Sequence, residues 1–352
     1  MRVQDCDLLI IGIGPAGAAA AEVAAKAGLR VIAVDKRREI GVPVQCAEFV
    51  PMPLLRQVQE TASRIQEVTG MRTFLPSGVA ERSDFPGIMI DRARFDQGLA
   101  HLAEAAGASL WRQAQFRSWD GELAQVQTQE GMKIVRPGFL VGADGPHSDV
   151  ARMLGLPPQR IVFTRQYTVP LRQAYFDTDI FLSDAFPGGY GWLFPRGAVA
   201  NLGLGADRRF EDNLKKPLDT LHRQMQERGM VGAEILGRTG GAIPVGGIRP
   251  MVHPRALLTG DAAGLTHPIT GAGIPAAVIS GMAAGQAVVA YLAGQEDALA
   301  EYEEDMRDQF APAIDRAIQR RLALEKVWRR PAAQKDRVMR GGWIAFAEYF
   351  AA

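Results

Sequence analysis

The feature that most restricts the fold lies near the start of the chain, where a glycine cluster joins an apolar run to an Ala-rich helical pattern. Residues 7–14 read DLLIIGIG, residues 15–28 read PAGAAAAEVAAKAG, and residues 29–37 read LRVIAVDKR. This order predicts one strand–helix–strand unit with parallel strands. Parallel strands end at one edge of a sheet, and that edge is where open α/β folds bind their ligands.

The spacing of the glycines in this unit predicts a dinucleotide site. Gly12 permits a tight turn, Gly14 lets a pyrophosphate approach the backbone, and Gly17 lets the helix pack closely on the strand. Asp35 ends the second strand, where a carboxylate can hold a ribose diol. The alternative is a structural glycine turn without a ligand. The motif alone does not distinguish NAD from FAD.

Two more segments later in the chain repeat the pattern of a strand that ends on an acidic–glycine pair. Residues 141–155 read VGADGPHSDVARMLG, and residues 257–277 read LLTGDAAGLTHPITGAGIPAA. In each, an Asp can accept hydrogen bonds from ribityl or ribose hydroxyls. In the second, glycines and a helix start present backbone N–H groups to an anion or an electron-rich ring edge.

With these three motifs in this order, the sequence resembles the FAD-dependent oxidoreductases of the aromatic-hydroxylase group. The resemblance covers roughly residues 5–295 and implies a non-covalently bound FAD. It implies that Asp35 holds the adenosine ribose, that Asp261 holds the ribityl or phosphate region, and that Arg92 reaches the same region. The full set of cofactor residues that we expect is Gly12, Gly14, Ala16, Gly17, Asp35, Lys36, Cys46, Ala47, Arg92, Asp144, Gly145, Asp261, Pro268, Gly271, Gly273 and Ile274.

A second resemblance lies in the middle of the chain, where residues 186–195 read FPGGYGWLFP. This segment, together with GVPVQCAEFVP at residues 41–51, is similar to the geranylgeranyl reductase family. The resemblance implies that Tyr190, Trp192 and Phe194 form a wall of the substrate cavity above the flavin. The alternative is that these three rings, at a spacing of two, are only the buried face of a strand.

Two further residues are candidates for catalysis beside Tyr190 and Trp192. Cys46 is expected close to the flavin on its substrate side, or else it is a small buried hydrophobe. His267 can donate a proton near the ring, or it caps the turn in which it lies. The remaining histidines show no metal-ligand spacing, and we expect no metal site.

The chain as a whole predicts an α/β fold, α+β overall. A Rossmann-type FAD-binding domain is expected to be interleaved with a β-sheet substrate domain and followed by C-terminal helices. The expected FAD domain comprises residues 1–70, 86–158 and 252–295. The substrate domain, mainly an antiparallel sheet, comprises residues 71–85 and 159–251, and residues 296–352 form a helical segment.

Charge and composition narrow the expected partners. The 40 Lys and Arg residues nearly balance the 39 Asp and Glu residues, so the net charge does not favour nucleic acid. Residues 273–294 are long and apolar enough for a membrane span, but they are rich in Ala and Gly, and we expect a buried packing helix instead. The two cysteines suggest a reduced, cytoplasmic setting.

The C-terminal segment carries nine Lys or Arg residues within 316–340 and then the apolar run GGWIAFAEYF. It is expected to cover the substrate domain or a partner. The minority alternative is a contact with a membrane surface or a protein substrate through Trp343, Ile344, Phe346 and Phe350.

These features predict an FAD-dependent oxidoreductase that acts on an apolar or aromatic small molecule, lipid or peptide, with NAD(P)H or another donor as reductant. The first hypothesis is reduction of isoprenoid C=C bonds by hydride from the flavin. The second is a monooxygenase that hydroxylates an aromatic ring, free or on a peptide, through a flavin C4a-hydroperoxide. A flavin-dependent halogenase is third, and a non-catalytic flavin-binding or electron-transfer protein is the remaining alternative.

Overall fold

The computed structural model describes residues 3–351, and it has the predicted mixed α/β architecture. The strands, in chain order, are β1 (Val3–Ile11), β2 (Val31–Asp35), β3 (Phe49–Pro51), β4 (Arg64–Val68), β5 (Gly70–Phe74), β6 (Ala80–Ser83), β7 (Gly87–Ile90), β8 (Ser109–Arg112), β9 (Gln115–Trp119), β10 (Ala124–Thr128), β11 (Gly131–Gly142), β12 (Ile161–Pro170), β13 (Asp177–Phe181), β14 (Gly191–Arg196), β15 (Val199–Ala206), β16 (Gly237–Thr239), β17 (Ala242–Pro244), β18 (Val252–His253) and β19 (Ala256–Leu258).

The helices alternate with strands in the first part of the chain and dominate its last part. They are α1 (Pro15–Lys26), α2 (Leu55–Glu60), α3 (Arg92–Ala105), α4 (Asp149–Met153), α5 (Lys215–Glu227), α6 (Ile274–Leu292), α7 (Ala298–Glu325), α8 (Asp336–Gly341) and α9 (Ala347–Phe350). A 3-10 helix at Gly260–Ala263 lies between β19 and α6.

The first sheet is built around the predicted strand–helix–strand unit. Its strands run in the order β18-β19-β11-β1-β2-β8, with β10 on β11 and β9 on β10. The central pairs β19–β11, β11–β1, β1–β2 and β2–β8 are parallel. Strands β10 and β11 form an antiparallel hairpin. The carboxyl ends of β1, β2 and β19 therefore share the edge that carries the glycine turn and the Gly260–Ala263 turn.

The second sheet has the order β16-β12-β15-β14-β13-β5-β6, with β17 also on β12, and it is mostly antiparallel. A third, small sheet has the order β3-β7-β4. Apolar residues of α5 cover one face of the second sheet, and residues of the third sheet and of the C-terminal segment cover the other face. The first and second sheets are formed by separate stretches of the chain, and the domain boundaries given above stay a prediction.

Helix α6 is the segment whose composition is compatible with a membrane span. It is the one helix in the described part of the chain that is long and apolar enough, and 56% of its most apolar window is buried. Glycines explain the close packing, since an added Cβ at Gly281 would lie 2.2 Å from the Ala16 carbonyl oxygen and one at Gly285 would lie 2.8 Å from that of Ala20. Helix α6 thus packs on α1, as a buried helix does.

The C-terminal run after α7 folds back over the aromatic face of the second sheet. Trp343 is 2% exposed and its ring centroid lies 4.7 Å from that of Tyr190. Phe346 is 4% exposed in the same cluster. The segment therefore covers this sheet, as expected, and the alternative that Trp343 and Phe346 contact a membrane surface or a protein substrate is wrong, because both side chains are buried against the sheet. Phe350 remains exposed.

Candidate functional site

The glycine turn between β1 and α1 has the geometry that a phosphate site needs. Gly12 has a φ of +98°, and an added Cβ at Gly17 would lie 1.9 Å from the Gly12 carbonyl oxygen, so both positions require glycine. Gly14 differs, because its φ is ordinary and an added Cβ would meet no atom within 4 Å. The turn is therefore closed on the protein side and open in front of the helix.

Two helices begin at this edge without a side-chain cap. Gly14 is the N-cap of α1 and Gly273 is the N-cap of α6, and neither supplies a side-chain hydrogen bond to its helix. The first turns of the two helices lie close together, since an added Cβ at Gly260 would be 3.0 Å from the Cβ of Ala16 in α1 and 3.6 Å from the Cβ of Ala277 in α6. Free N–H groups and two positive helix ends favour an anion at this place.

Asp35 lies beside the glycine turn, as predicted, and its side chain holds the turn in shape. Ile13 N donates to Asp35 Oδ2 at 3.0 Å, and Arg37 N donates to Oδ1 at 2.8 Å. The carboxylate is half-buried, and each oxygen can accept a further bond from a ribose hydroxyl. The neighbouring Lys36 is exposed.

Asp261 lies in the 3-10 helix, close to the start of α6. It accepts a hydrogen bond from the Thr266 hydroxyl, and an added Cβ at Gly273 would lie 3.1 Å from its Oδ1. Burial raises the pKa of Asp261, although the Thr266 hydroxyl and the charge of Arg92 act in the opposite direction. Its position at the sheet edge, with one local donor, leaves the carboxylate with acceptor capacity for a ligand.

Asp144, the acidic residue of the second motif, accepts hydrogen bonds from its neighbours in the sequence. Its Oδ1 accepts from the Ser148 hydroxyl at 2.5 Å, and its Oδ2 accepts from the N–H groups of Asp149 and Val150 at 2.7 and 3.1 Å. These bonds cap the start of α4, a role for Asp144 that was not predicted from the sequence. A direct contact of Asp144 with the cofactor stays a prediction, whereas Gly145, with a φ of +81°, faces open space.

Arg92 and Cys46 come together, although 46 residues separate them in the chain. Arg92 begins α3, and its Nε and a terminal nitrogen each donate to Asp96 at 3.0 Å. Its guanidinium also lies near the Cys46 thiol, and its charge lowers the pKa of Asp261 against the larger effect of burial. Arg92 therefore links the third motif to Cys46, and its predicted contact with the flavin phosphate or ribityl chain stays a prediction.

Glu48 is a site residue that the sequence reading missed. It is 5% exposed and has a φ of +70°, which is uncommon for a residue with a side chain. Its N–H donates to Cys46 Sγ at 3.2 Å, while its carboxylate accepts from Arg92 N at 3.1 Å and from Asn201 Nδ2 at 2.8 Å. A strained backbone residue held on three sides fixes the position of the thiol.

The aromatic wall, formed by Tyr190, Trp192 and Phe194, is connected to Cys46 through a hydrogen-bonded glutamine. Tyr190, Trp192 and Phe194 share one face at a spacing of two, and Trp192 and Phe194 are 6% and 7% exposed. Trp192 Nε1 donates to Gln166 Oε1 at 3.0 Å, and Gln166 Nε2 donates to the Cys46 carbonyl oxygen at 3.2 Å. Gln166, also missed from sequence, thereby connects the wall to the cysteine.

The turn that carries Pro268 and Gly271 lies against the start of this wall. The Tyr190 hydroxyl donates to the Thr270 carbonyl oxygen at 2.6 Å. Pro268 is buried, and Gly271 has a φ of +70° that favours glycine. Ala47 packs in the same apolar cluster as the wall. The predicted flavin and substrate residues therefore meet at one place.

His267 acts as a turn cap in the structure. Its Nδ1 accepts from Thr270 N at 3.2 Å and from Ile269 N at 3.4 Å, so the proton of the neutral ring lies on Nε2, 3.4 Å from the Tyr349 hydroxyl. Burial lowers the pKa of His267 from 6.5 to about 4. A ring that is neutral at pH 7 can donate only its Nε2 proton, so the catalytic role stays a prediction.

We expect His267→Asn to flatten the pH dependence of stability. The pKa of His267 is about 4 in the folded protein and 6.5 in the unfolded chain, so its contribution is fully present above pH 6.5 and is lost as the pH falls through 4. Denaturant unfolding should show a stability difference between about pH 7 and about pH 4.5 that is smaller by about 2 kcal/mol in the variant.

The matched control for this experiment is His101→Asn, a change at an exposed position on α3. The asparagine that replaces His267 keeps an acceptor for the turn N–H groups, so the variant should fold. If the stability difference between the two pH values were the same in His267→Asn as in the wild type, His267 would not be shielded from solvent as it is in the structure.

The geometry fits FAD. The open space in front of Gly14 and the two uncapped helix starts suit the pyrophosphate, Asp35 suits the adenosine ribose, and Asp261 suits the ribityl chain. The turn at residues 267–271 lies between this edge and the aromatic wall. The arrangement defines the FAD-dependent oxidoreductase class.

Comparisons with known proteins lead to the same class and refine it. The family described as "FAD binding domain" matches residues 5–184, and the family described as "Lycopene cyclase protein" matches residues 210–340. The chain is 32% identical over 337 residues to the digeranylgeranylglycerophospholipid reductase of Thermoplasma volcanium. The matched region covers 88% of this chain and 85% of that protein.

Solved structures agree with the fold. A geranylgeranyl bacteriochlorophyll reductase-like protein of Thermoplasma acidophilum superimposes with a TM-score of 0.86 at 27% identity, covering 98% of this chain and 93% of that one. A probable FAD-dependent monooxygenase of Pseudomonas aeruginosa, at 20% identity and a TM-score of 0.69, covers 94% of this chain and 99% of that one, and it shows the fold alone. The protein belongs to the geranylgeranyl reductase family of FAD-dependent oxidoreductases.

Proposed function

We propose that the protein reduces C=C bonds in the isoprenoid chains of a lipid, with hydride supplied by reduced FAD. The name of the Thermoplasma volcanium relative supports this substrate class. Lipid substrates also support a location in the cytoplasm with contact at a membrane surface. NAD(P)H or another electron donor is proposed as reductant.

The observation that carries the proposal is the chemistry of the wall beside Cys46. The core cluster around it consists of apolar side chains, and its buried members are Val68, Met71, Leu75, Met89, Ile180, Leu182, Trp192, Phe194, Met339, Trp343 and Phe346. Such surroundings offer large apolar area and few hydrogen-bond partners. It suits a hydrocarbon alkene better than a phenol, whose hydroxyl would need a partner.

Reduction of an alkene needs a proton as well as a hydride, and we propose that the Cys46 thiol supplies the proton. In the proposed step one alkene carbon receives the hydride and the other takes the proton from Sγ, so the π bond is replaced by two C–H bonds. The sulfur left behind carries a negative charge. The N–H of Glu48 donates to Sγ at 3.2 Å and the guanidinium of Arg92 lies near it, so both support the proposal by favouring the negative charge.

The proposal is tested with protein reduced by dithionite under nitrogen, which makes the natural donor irrelevant. The probe is a lipid with geranylgeranyl chains in detergent micelles. We expect a product whose mass has gained two hydrogen atoms for each reduced double bond, with concurrent return of the oxidised flavin spectrum. Free FAD with dithionite is the control for non-enzymatic reduction.

The hydroxylase alternative predicts a different result. The lipid would be unchanged under nitrogen, and an aromatic substrate would gain one oxygen atom in air. That pair of results would overturn the proposal.

A further inference from the structure

A buried arginine of helix α7 donates hydrogen bonds to two loops of the site, the loop before the aromatic wall and the turn at residues 267–271. The Arg321 side chain is 3% exposed. One terminal nitrogen donates to the Gly188 carbonyl oxygen at 2.8 Å and to the Pro268 carbonyl oxygen at 3.3 Å, and the other donates to Asp207 Oδ2 at 3.4 Å. Arg321 thus bridges two loops that are 80 residues apart in the sequence.

These two loops carry the opposite sides of the site. Gly188 lies two residues before Tyr190, at the start of the aromatic wall, and Pro268 lies in the turn next to the expected flavin ring. A second bond joins the same loops directly, because the Tyr190 hydroxyl donates to the Thr270 carbonyl oxygen at 2.6 Å. The wall and the turn are therefore fastened at two points, one of which is Arg321.

The loop conformation accommodates the arginine closely. Gly188 has a φ of +82°, and an added Cβ there would lie 3.0 Å from a terminal nitrogen of Arg321 and 2.6 Å from the Asp207 Cβ. A residue with a side chain would push the loop away from the guanidinium. Glycine at position 188 is thus explained by its positive φ and by the close approach of Asp207 and Arg321.

Charge pairing alone does not explain why this cation is buried. Asp207 and Glu325 are also paired with two more exposed arginines, Arg160 and Arg209, so three cations serve two carboxylates. Arg209 binds Asp207 at 2.7 Å, closer than the 3.4 Å of Arg321. Burial is unfavourable for a guanidinium, and it lowers the pKa of Arg321 to about 10. What distinguishes Arg321 from the other two is its bonds to the loop carbonyls.

We infer that Arg321 is a positioning residue that fixes the aromatic wall against the turn at residues 267–271, and so sets the spacing between substrate and flavin. It does not contact the reacting atoms. Its effect on turnover rests on the proposed function, whereas its effect on the two loops does not. A displacement of about 1 Å between reacting groups can lower a rate about 100-fold.

The test compares Arg321→Met and Arg321→Lys with Arg209→Met as the matched control. Arg209→Met removes an ion pair to the same Asp207 but touches neither carbonyl. Amide hydrogen exchange of residues 186–191 and 267–272 is measured in the FAD-loaded proteins, together with the visible circular dichroism of the bound flavin, kcat and KM.

We expect Arg321→Met to speed exchange in both loops at least about tenfold, to alter the flavin dichroism, and to lower kcat by about 10- to 100-fold with a smaller change in KM. Arg321→Lys should recover part of each effect, because an ammonium can reach one carbonyl, and Arg209→Met should resemble the wild type. If Arg321→Met does not fold, Arg321→Lys alone carries the comparison.

Unchanged exchange in the Arg321 variants, or an equal change in Arg209→Met, would overturn the inference and leave Arg321 as a member of the charge cluster. If the wild type fails to reduce isoprenoids while the exchange and dichroism respond as expected, the proposed function fails and the positioning role stands.

Discussion

Gly14→Val is expected to yield a folded protein that is isolated without FAD. An added Cβ at this position meets no atom of the chain within 4 Å, and the backbone has an ordinary φ, so the valine itself causes no clash. The side chain would stand in front of the N-terminus of α1, where the pyrophosphate is expected. Because a phosphate must approach that backbone closely, even a small side chain should exclude it.

The measurement is the ratio of flavin absorbance to protein, with the melting temperature of flavin-free protein as the test of folding. We expect the affinity for FAD to fall at least about tenfold, which corresponds to about 1.4 kcal/mol. Two further variants serve as controls. Gly341→Val also meets open space, at the end of α8, and should retain FAD, whereas Gly17→Val would lie 1.9 Å from the Gly12 carbonyl oxygen and should not fold.

Retention of stoichiometric FAD in Gly14→Val would show that the open space before α1 is not the phosphate site. Loss of FAD in Gly341→Val as well would show that the first loss is not specific to the glycine turn.

The nucleotide half of the site could be predicted because its signals are local. The unit from β1 to β2 spans a short stretch in which apolar runs, glycines and Asp35 follow one another in a fixed order. Strand pairing and the right-handed crossover then bring Asp35 to the glycine turn without further information. The hairpin of β10 and β11 was predictable for the same reason, since Glu130 and Gly131 mark its turn.

The contacts that hold the two halves together could not be predicted in this way. Arg321 meets Gly188 across 133 residues, and Trp343 meets Tyr190 across an even longer stretch. In the sequence, Arg321 is one of nine basic residues in a segment that reads as a solvated helix surface. Nothing local distinguishes the buried arginine from its exposed neighbours, because burial depends on which loops the helix meets.

The spacing of Tyr190, Trp192 and Phe194 predicted a shared face but not what the polar atoms on that face would bind. Trp192 is connected to Cys46 through Gln166, a residue of β12 that the pattern did not single out. Likewise Glu48, next to Cys46, gave no sign in the sequence of its unusual backbone conformation. The chemical groups could therefore be identified from the sequence, whereas the residues that orient them could be identified only from the structure.

Cys46→Ala is expected to keep FAD and to lose most of the activity. The substitution removes Sγ, which is the proposed proton donor, and leaves the Glu48 N–H without its acceptor. Loss of a positioned acid commonly lowers a rate by about 100-fold or more. The measurement is a single turnover, in which protein reduced under nitrogen is mixed with the geranylgeranyl lipid and both flavin reoxidation and product mass are followed.

The second cysteine provides the matched control for this change. Cys6 is 3% exposed in β1, and burial raises the pKa of its thiol to about 12, so it has no access to a substrate and no means to give up a proton near pH 7. Cys6→Ala should therefore turn over at the wild-type rate. If Cys46→Ala also reduces the lipid at that rate, the proton comes from another donor or from water, and the thiol only fills space beside the wall. A slow Cys46→Ala whose rate rises in Cys46→Ser would support the donor role, because the hydroxyl can carry the same proton from the same place.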